Sequence, residues 1–244
     1  MVKGNNPAGR LLNILEELKD WYDNNRQSVT YGNHGVIWID VLELEVKDGN
    51  QVTNEEIIEA VSCVYELMKD TKRMFKVFCS REDYEHYFTH FDKIETLVRP
   101  RDLNDDDFPT ALANIDEHVL HTLKTISMLL SDYDEESLNK IELDEIKNSV
   151  EELFSEIHKS AINPDLRICL LESLEAIREI ISKYKIYGAK DLKDNFQKIV
   201  GGIATNYESL ESSPSLKSKL YDFLGKVAKP LNLINEILKL TSQL

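Results

Sequence analysis

The sequence predicts an all-α protein, a compact multi-helix bundle of about eight helices with no significant sheet. Apolar residues recur at helical spacing along almost the whole chain, and its 244 residues include only 9 Gly and 6 Pro, too few for a turn-rich β-sandwich. With 42% hydrophobic and 30% charged residues, the chain is too apolar for wholesale disorder. We therefore expect one helical domain over 1–244.

In the N-terminal half, capping residues and apolar stripes predict the helices. Asn6 before Pro7 is typical of a helix start, because Asn caps the first turn and Pro at the first position lacks only an N–H that would have no partner. Thr53 and Glu56 have the spacing of a capping box, in which each side chain satisfies the other end's free donor. The apolar stripes lie at 11–21, 57–68, 84–97 and 112–130.

The segment 33–44 contains the run GVIWIDVL and is compatible with both helix and strand. Its β-branched residues suit a buried strand, but a short buried helix has the same composition. No second strand is evident to pair with it, and a lone strand would leave its backbone groups unpaired. We therefore favour a helix and leave the strand as the alternative.

The C-terminal half continues the same pattern, with an Asn–Pro pair at 163–164 as the start of a helix. Gly188 can take the left-handed turn that closes a helix, and Gly201 with Gly202 is expected to end the next one. We expect a surface loop over 206–215, and Pro230 should kink or divide the last helix. The apolar stripes lie at 146–157, 166–184, 192–199, 220–227 and 233–240.

The charge of the chain is strongly negative and uneven. There are 29 basic and 44 acidic residues, a formal charge of −15. Residues 1–158 hold 16 basic and 34 acidic residues, whereas 159–244 hold 13 and 10, so two sub-lobes of different charge are conceivable within the domain. An acidic surface repels phosphate, which disfavours nucleic acid. It suits a basic protein partner or head-to-tail self-association; the alternative is a solvated surface without a partner.

The lack of a recognisable secretory signal and the spacing of the cysteines predict a cytoplasmic protein. The N-terminal stretch lacks the apolar core of a secretory signal, and no run approaches the roughly 20 apolar residues that cross a bilayer. Three cysteines without a CxxC spacing favour reduced thiols over a disulfide framework. We expect a soluble cytoplasmic protein without a membrane partner.

Histidines offer only incomplete metal ligands. His86 and His90 share a helix face, but Tyr87 stands where a HExxH motif has glutamate, and Glu117 with His118 and His121 is a weaker group. There is no GxSxG, no P-loop and no GxGxxG, so we predict no metal, no cofactor and no small-molecule ligand. The motifs favour a non-enzymatic protein without excluding an enzyme.

One catalytic alternative remains. Arg81 followed by His86 resembles the Arg-x4-His signature of HEPN ribonucleases, which are all-α. The resemblance implies that these two residues contact the scissile phosphate and assist proton transfer. Glu82 departs from the Asn, His or Asp that the family prefers there, and Glu85 adds charge that repels an anionic substrate.

The C-terminal tail is the predicted partner-binding segment. Its apolar arc is wider than a single core-facing stripe needs, so we expect it to dock on another subunit or on a second copy of the chain. The alternative is packing against its own domain. The predicted binding residues are Leu233, Ile234, Ile237 and Leu240.

Two stretches carry a resemblance. NPAGRLLNIL at 6–15, followed by VIW at 36–38, and LEAIREIISKYKIYGA at 174–189 are similar to a loose group of uncharacterised bacterial helical proteins. The resemblance implies an all-α cytosolic protein of the kind that accompanies mobile-element or phage-defence genes. Together with the acidic surface and the apolar tail, it leads to the hypothesis of a non-enzymatic accessory, immunity or regulatory subunit that binds another protein.

Overall fold

The computed structural model describes residues 4–25, 35–44, 51–79, 81–99 and 108–235, except for the side chains of 81–86. Within these ranges the chain forms eleven α-helices, one short 3₁₀ helix and no strand. The all-α prediction is confirmed, and the predicted number of about eight helices is too low. The chain divides into two compact units, Met1–Asp134 and Glu135–Leu244.

The two units differ in charge. The first holds 14 basic and 26 acidic residues, a formal charge of −12, and the second holds 15 and 18, a formal charge of −3. The change of charge predicted near Lys159 lies inside the second unit and not at its boundary. Most of the negative charge therefore belongs to the first unit.

The first unit is built around α1, which packs on α2, α3 and α6, while α4 packs on α3, α5 and α6. A 3₁₀ turn follows α6 at the end of this unit. Its helices are α1 (Pro7–Asn25), α2 (Gly35–Val41), α3 (Asn54–Phe78), α4 (Arg81–Val98), α5 (Phe108–Ala113), α6 (Glu117–Leu129) and the 3₁₀ helix (Ser131–Tyr133).

The ambiguous segment is helical, as favoured: α2 spans Gly35–Val41. A helix closes its hydrogen bonds within itself and needs no partner strand. Ile37 and Trp38 are buried, and α2 contacts both α1 and α3. Trp21 on α1 donates from Nε1 to Oδ2 of Asp40 at 2.8 Å, which ties the two helices together.

The predicted caps of this unit are confirmed, and an unpredicted one raises the number of helices. Asn6 accepts from the N–H of Gly9, and Thr53 with Glu56 forms the capping box. Asp116 divides the single helix expected over 112–130, because its side chain accepts from the N–H of Val119 and starts α6 anew.

The second unit has one continuous core, in which α8 packs on α7 and α9, α11 packs on α7, and the short α10 bridges α9 and α11. Tyr184 links this core to the preceding connector, since its hydroxyl accepts from the N–H of Leu138 and donates to the carbonyl of Glu136. The helices are α7 (Lys140–Lys159), α8 (Pro164–Ser182), α9 (Tyr184–Thr205), α10 (Tyr207–Glu211) and α11 (Pro214–Ala228).

Three local predictions for the second unit need correction. Gly188 has the expected positive φ of 73°, but α8 already ends at Ser182, so Gly188 kinks α9 instead of closing α8. The glycines at 201–202 do not end α9, because buried Ile199 and Ile203 hold the helix across them to Thr205. Part of the expected loop over 206–215 is α10, which buried Leu210 anchors.

The last helix of the described chain ends where proline predicted a break. α11 stops at Ala228, and a turn containing Pro230 follows. After this turn Leu231 is fully buried. Among the described helices, none combines the length and the apolar character that a bilayer span requires.

Candidate interaction surface

Large apolar side chains are exposed where α3 and α6 end. Phe78, the last residue of α3, meets Tyr133 of the 3₁₀ helix with ring centroids 5.4 Å apart and planes at 64°, although the two residues are 50% and 48% exposed. Val77, which precedes Phe78, and Met128 and Leu129, at the end of α6, are also exposed. We call these five residues the aromatic patch.

Phe78 is exposed because α3 ends there. Thr71 and Phe75 lie on the buried stripe of α3, and Phe75 packs edge-on against Tyr87 of α4 with ring centroids 5.4 Å apart. Phe78 follows Phe75 at the spacing of this stripe, but it is the last residue of the helix and is half exposed, whereas Val77 lies on another face. The buried part of the stripe therefore stops at Phe75.

Asn6 positions the other half of the patch. Its Nδ2 donates to the carbonyls of Ser127 and Leu130 at the end of α6, at 2.9 and 3.3 Å, and to Oδ1 of Asp134 at 2.7 Å. Its Oδ1 caps α1 at the same time. The 3₁₀ turn that carries Tyr133 lies between Leu130 and Asp134, so one fully buried side chain holds both ends of this turn.

The charges beside the patch are acidic on the 3₁₀ side. Exposed Asp132 and Asp134 flank Tyr133 in the sequence. Exposed Lys76 lies on the last turn of α3, and exposed Lys124 lies more than one turn before the end of α6. Both helices also end at the patch, and a helix C-terminus carries a partial negative charge of about half an electron.

Two other bases near the end of α3 are already engaged. Arg73 forms an ion pair with Asp70, one turn back on the same helix. The Nζ of Lys72 lies 4.7 Å from the centre of the Phe88 ring on α4. The charge of Arg73 is therefore balanced by Asp70, whereas Lys72 keeps its positive charge.

The most strongly shifted carboxylate of the first unit has a structural role. Lys93 on α4 donates to Oδ2 of Asp116 at 2.8 Å, and this bond, with the N–H of Val119, lowers the pKa of Asp116 to about 2. The pair joins α4 to the start of α6. It belongs to the fold and not to a reaction site.

The predicted partner-binding residues have different surroundings. Leu233 is partly buried against the core of the second unit, while Ile234 is 52% exposed. Ile237 and Leu240 lie outside the described residues. Leu231, just before them, is fully buried, so the start of the tail packs on its own unit and partner binding by the four residues stays a prediction.

The catalytic alternative of Arg81 with His86 stays a prediction. Arg81 and His86 lie at the start of α4, but their side chains are outside the described part of the chain. His118 and His121 are exposed on α6. Among the described residues, no three His, Cys, Asp or Glu side chains are grouped so that they could hold a metal ion.

The second unit has a shallow groove on its surface. It is lined by Ile168 and Cys169 of α8 and Lys198 of α9, together with the carboxylates of Asp165 and Glu172. The thiol of Cys169 lies 3.9 Å from the carbonyl of Lys198. The groove is wide open to solvent. The side chains that line it do not form a recognisable catalytic arrangement.

The sequence prediction missed the aromatic patch, although a signal for it exists. The stripe of α6 runs through Leu123, Ile126 and Leu130, and Met128 lies off it. Val77 lies off the stripe of α3 in the same way. A pair of adjacent apolar residues at a helix end, one of them outside the buried stripe, would have pointed to this surface.

Comparison with known proteins leaves this surface to be interpreted from its own residues. No family model matches the chain, and neither a curated protein nor a solved structure shows significant similarity to it.

Proposed function

We propose that this chain is a non-enzymatic helical interaction protein, an accessory, immunity or regulatory subunit of a bacterial system that acts in phage defence. The single observation that carries the interaction role is the exposed ring pair of Phe78 and Tyr133. The bacterial setting and the link to phage defence rest on the resemblance of the segments 6–15 and 174–189.

The physical support is the cost of leaving such a pair in water. Burying apolar surface gains about 25 cal/mol per Å², and aromatic residues are enriched at the centres of protein interfaces. Phe78 and Tyr133 are each only about half covered by the chain itself. A cluster of exposed apolar residues is typical of an interaction site, whereas singly scattered ones are ordinary.

The test is affinity capture with the tagged full chain from a lysate of the bacterium that encodes it, combined with the mass of the purified chain by light scattering. We expect one stoichiometric protein to be retained. A monomeric chain that retains no stoichiometric partner would refute the interaction role.

The same capture separates the two candidate surfaces. Phe78→Ser removes an aromatic ring from the patch, and Ile234→Ser removes an exposed side chain from the tail that the sequence predicts to bind. Ile141→Ser is the matched control, because Ile141 is 71% exposed on α7 and belongs to neither surface. We expect the control to retain the partner at the level of the unchanged chain.

A further inference from the structure

We infer that the aromatic patch receives a cationic amphipathic segment of another protein, in which Lys or Arg side chains flank large apolar ones. This inference rests on the proposed function and names the chemistry of its partner.

The apolar part is supplied by the patch itself. Phe78 and Tyr133 meet edge to face, so the rings offer both an edge and a face to an incoming side chain. Met128 and Leu129, at the end of α6, are 60% and 57% exposed, and methionine adapts its shape to different partners. Large apolar side chains of a partner would therefore bury the most apolar surface when they bind to this patch.

The electrostatic part favours positive charge in the partner. Asp132 and Asp134 flank Tyr133, and the C-terminal ends of α3 and α6 add partial negative charge. Lys76 and Lys124 oppose them locally, but the unit as a whole has a formal charge of −12. A Lys or Arg of the partner also gains by lying over the Phe78 or Tyr133 ring.

The same charge disfavours a symmetric dimer of this chain through the patch. A symmetric contact would place the same acidic face of each copy against the other. Two first units, each with a charge of −12, repel one another at the distances of an interface. A cationic segment meets no such penalty and is steered toward the patch.

The experiment titrates a fluorescently labelled amphipathic peptide of Leu and Lys into the full chain and follows its anisotropy. We expect the double variant Phe78→Ser/Tyr133→Ser to weaken binding by about tenfold or more, as loss of central aromatic residues does at interfaces. Ile141→Ser and Ile168→Ser, which remove exposed side chains of the second unit, are the matched controls and should bind as the unchanged chain does.

Charge is tested separately. Asp132→Lys should weaken binding of the Lys peptide, and added salt should weaken it for the unchanged chain. A matched peptide of Leu and Glu should not bind. Equal binding of the Lys peptide by the double variant and the unchanged chain would overturn the inference, and so would binding of the Glu peptide.

The folding of the variants and the second-copy alternative each have their own readout. Trp38 is buried in the first unit, so unchanged tryptophan fluorescence shows that a variant has kept this unit folded. If light scattering shows a dimer that the double variant loses, the patch binds a second copy and the inference is wrong.

Failure of this inference is distinguishable from failure of the proposed function. A stoichiometric lysate partner that the double variant still retains would overturn the inference and leave the interaction role standing. Absence of any stoichiometric partner would remove the interaction role itself.

Discussion

The two units of this chain are both all-helical, but they differ in the apolar residues that they expose and in their net charge. In the second unit the large apolar side chains form a continuous core, and among the described residues only Ile141, Ile168 and Ile234 of this type are exposed, at widely separated positions. The first unit exposes a cluster of them at the ends of two helices and carries a charge of −12 against −3 for the second. The first unit therefore leaves adjacent large apolar side chains exposed at two helix ends, whereas the second buries most of those described.

The units also begin helices with the same device in different surroundings. Asn6–Pro7 starts α1, and Asn163–Pro164 starts α8. Asn163 is half-buried, its Nδ2 donates to the side chain of Asn206, and its N–H donates to the hydroxyl of Ser209. Asn6 is fully buried and links α1 to the end of α6. Both caps therefore also make tertiary bonds, but those of Asn6 are fully buried and those of Asn163 are half-buried.

Replacing the two asparagines should have the largest effect on the free energy of unfolding, and it tests this difference between the units directly. Asn6→Ala removes a cap and the buried donor to the carbonyl of Ser127, while the carbonyl of Leu130 keeps the N–H of Tyr133, so we expect it to cost about 3 kcal/mol. Asn163→Ala removes a half-buried cap and should cost about 1 kcal/mol. The measurement is urea unfolding of each variant.

The two tryptophans make this measurement selective. Trp21 and Trp38 both belong to the first unit, so fluorescence follows its unfolding, whereas circular dichroism follows the helices of both units. Asn6→Ala should shift the fluorescence transition, and Asn163→Ala should shift only the dichroism. Equal costs for the two variants would show that the buried bonds of Asn6 contribute no more than the half-buried bonds of Asn163.

A pair of glycines gives the next largest effect, with opposite signs in the two units. A Cβ on Gly9 of α1 would lie 1.8 Å from the carbonyl oxygen of Gly4, so Gly9→Ala should destabilise the first unit by about 2 kcal/mol despite the helix propensity of alanine. A Cβ on Gly225 of α11 would meet nothing within 4 Å. Gly225→Ala should therefore stabilise the second unit by about 0.5–1 kcal/mol.

Thermal unfolding followed by circular dichroism and by fluorescence checks both substitutions. If Gly9→Ala is neutral, the segment that contains Gly4 does not pack against α1 as closely as the structure has it. If Gly225→Ala is destabilising, the exposed face of α11 has a contact that the described chain does not supply.

Features set by neighbouring residues were predictable from the sequence. The caps at Asn6, Thr53 and Asn163 were found because a capping side chain and its acceptor or donor lie within one turn of each other. The all-α class followed from a period repeated over most of the chain. The helix over Gly35–Val41 was favoured because no partner strand was present.

Features set by distant contacts were not predictable in this way. The glycines at 201–202 stay helical because Ile199 and Ile203 are buried by other helices, and α10 forms around buried Leu210. The aromatic patch joins Phe78 to Tyr133, which belong to different helices far apart in sequence. No local pattern shows that two helix ends will meet, so the sequence directed attention to the tail instead.

The smallest effect concerns pH and is confined to the first unit. Asp116 is bonded to Lys93 and caps α6, and its folded-state pKa is lowered from 3.8 to about 2. Because the folded pKa is the lower one, the stability that this carboxylate contributes is present above pH 3.8 and is lost as the pH falls through about 2. The side chain is 41% exposed, so solvent screening reduces this contribution to about 1 kcal/mol or less.

Two substitutions of Asp116 separate the ion pair from the cap. Asp116→Asn keeps a capping oxygen and loses the charge, so its stability should fall below that of the unchanged chain at pH 7 and approach it near pH 2. Asp116→Ala loses both and should stay less stable at either pH. Glu211→Gln is the matched control in the second unit, because it removes a carboxylate bonded to Lys217 there. It should leave the fluorescence transition of the first unit unchanged at every pH, and a shift of that transition would show that the units do not unfold independently.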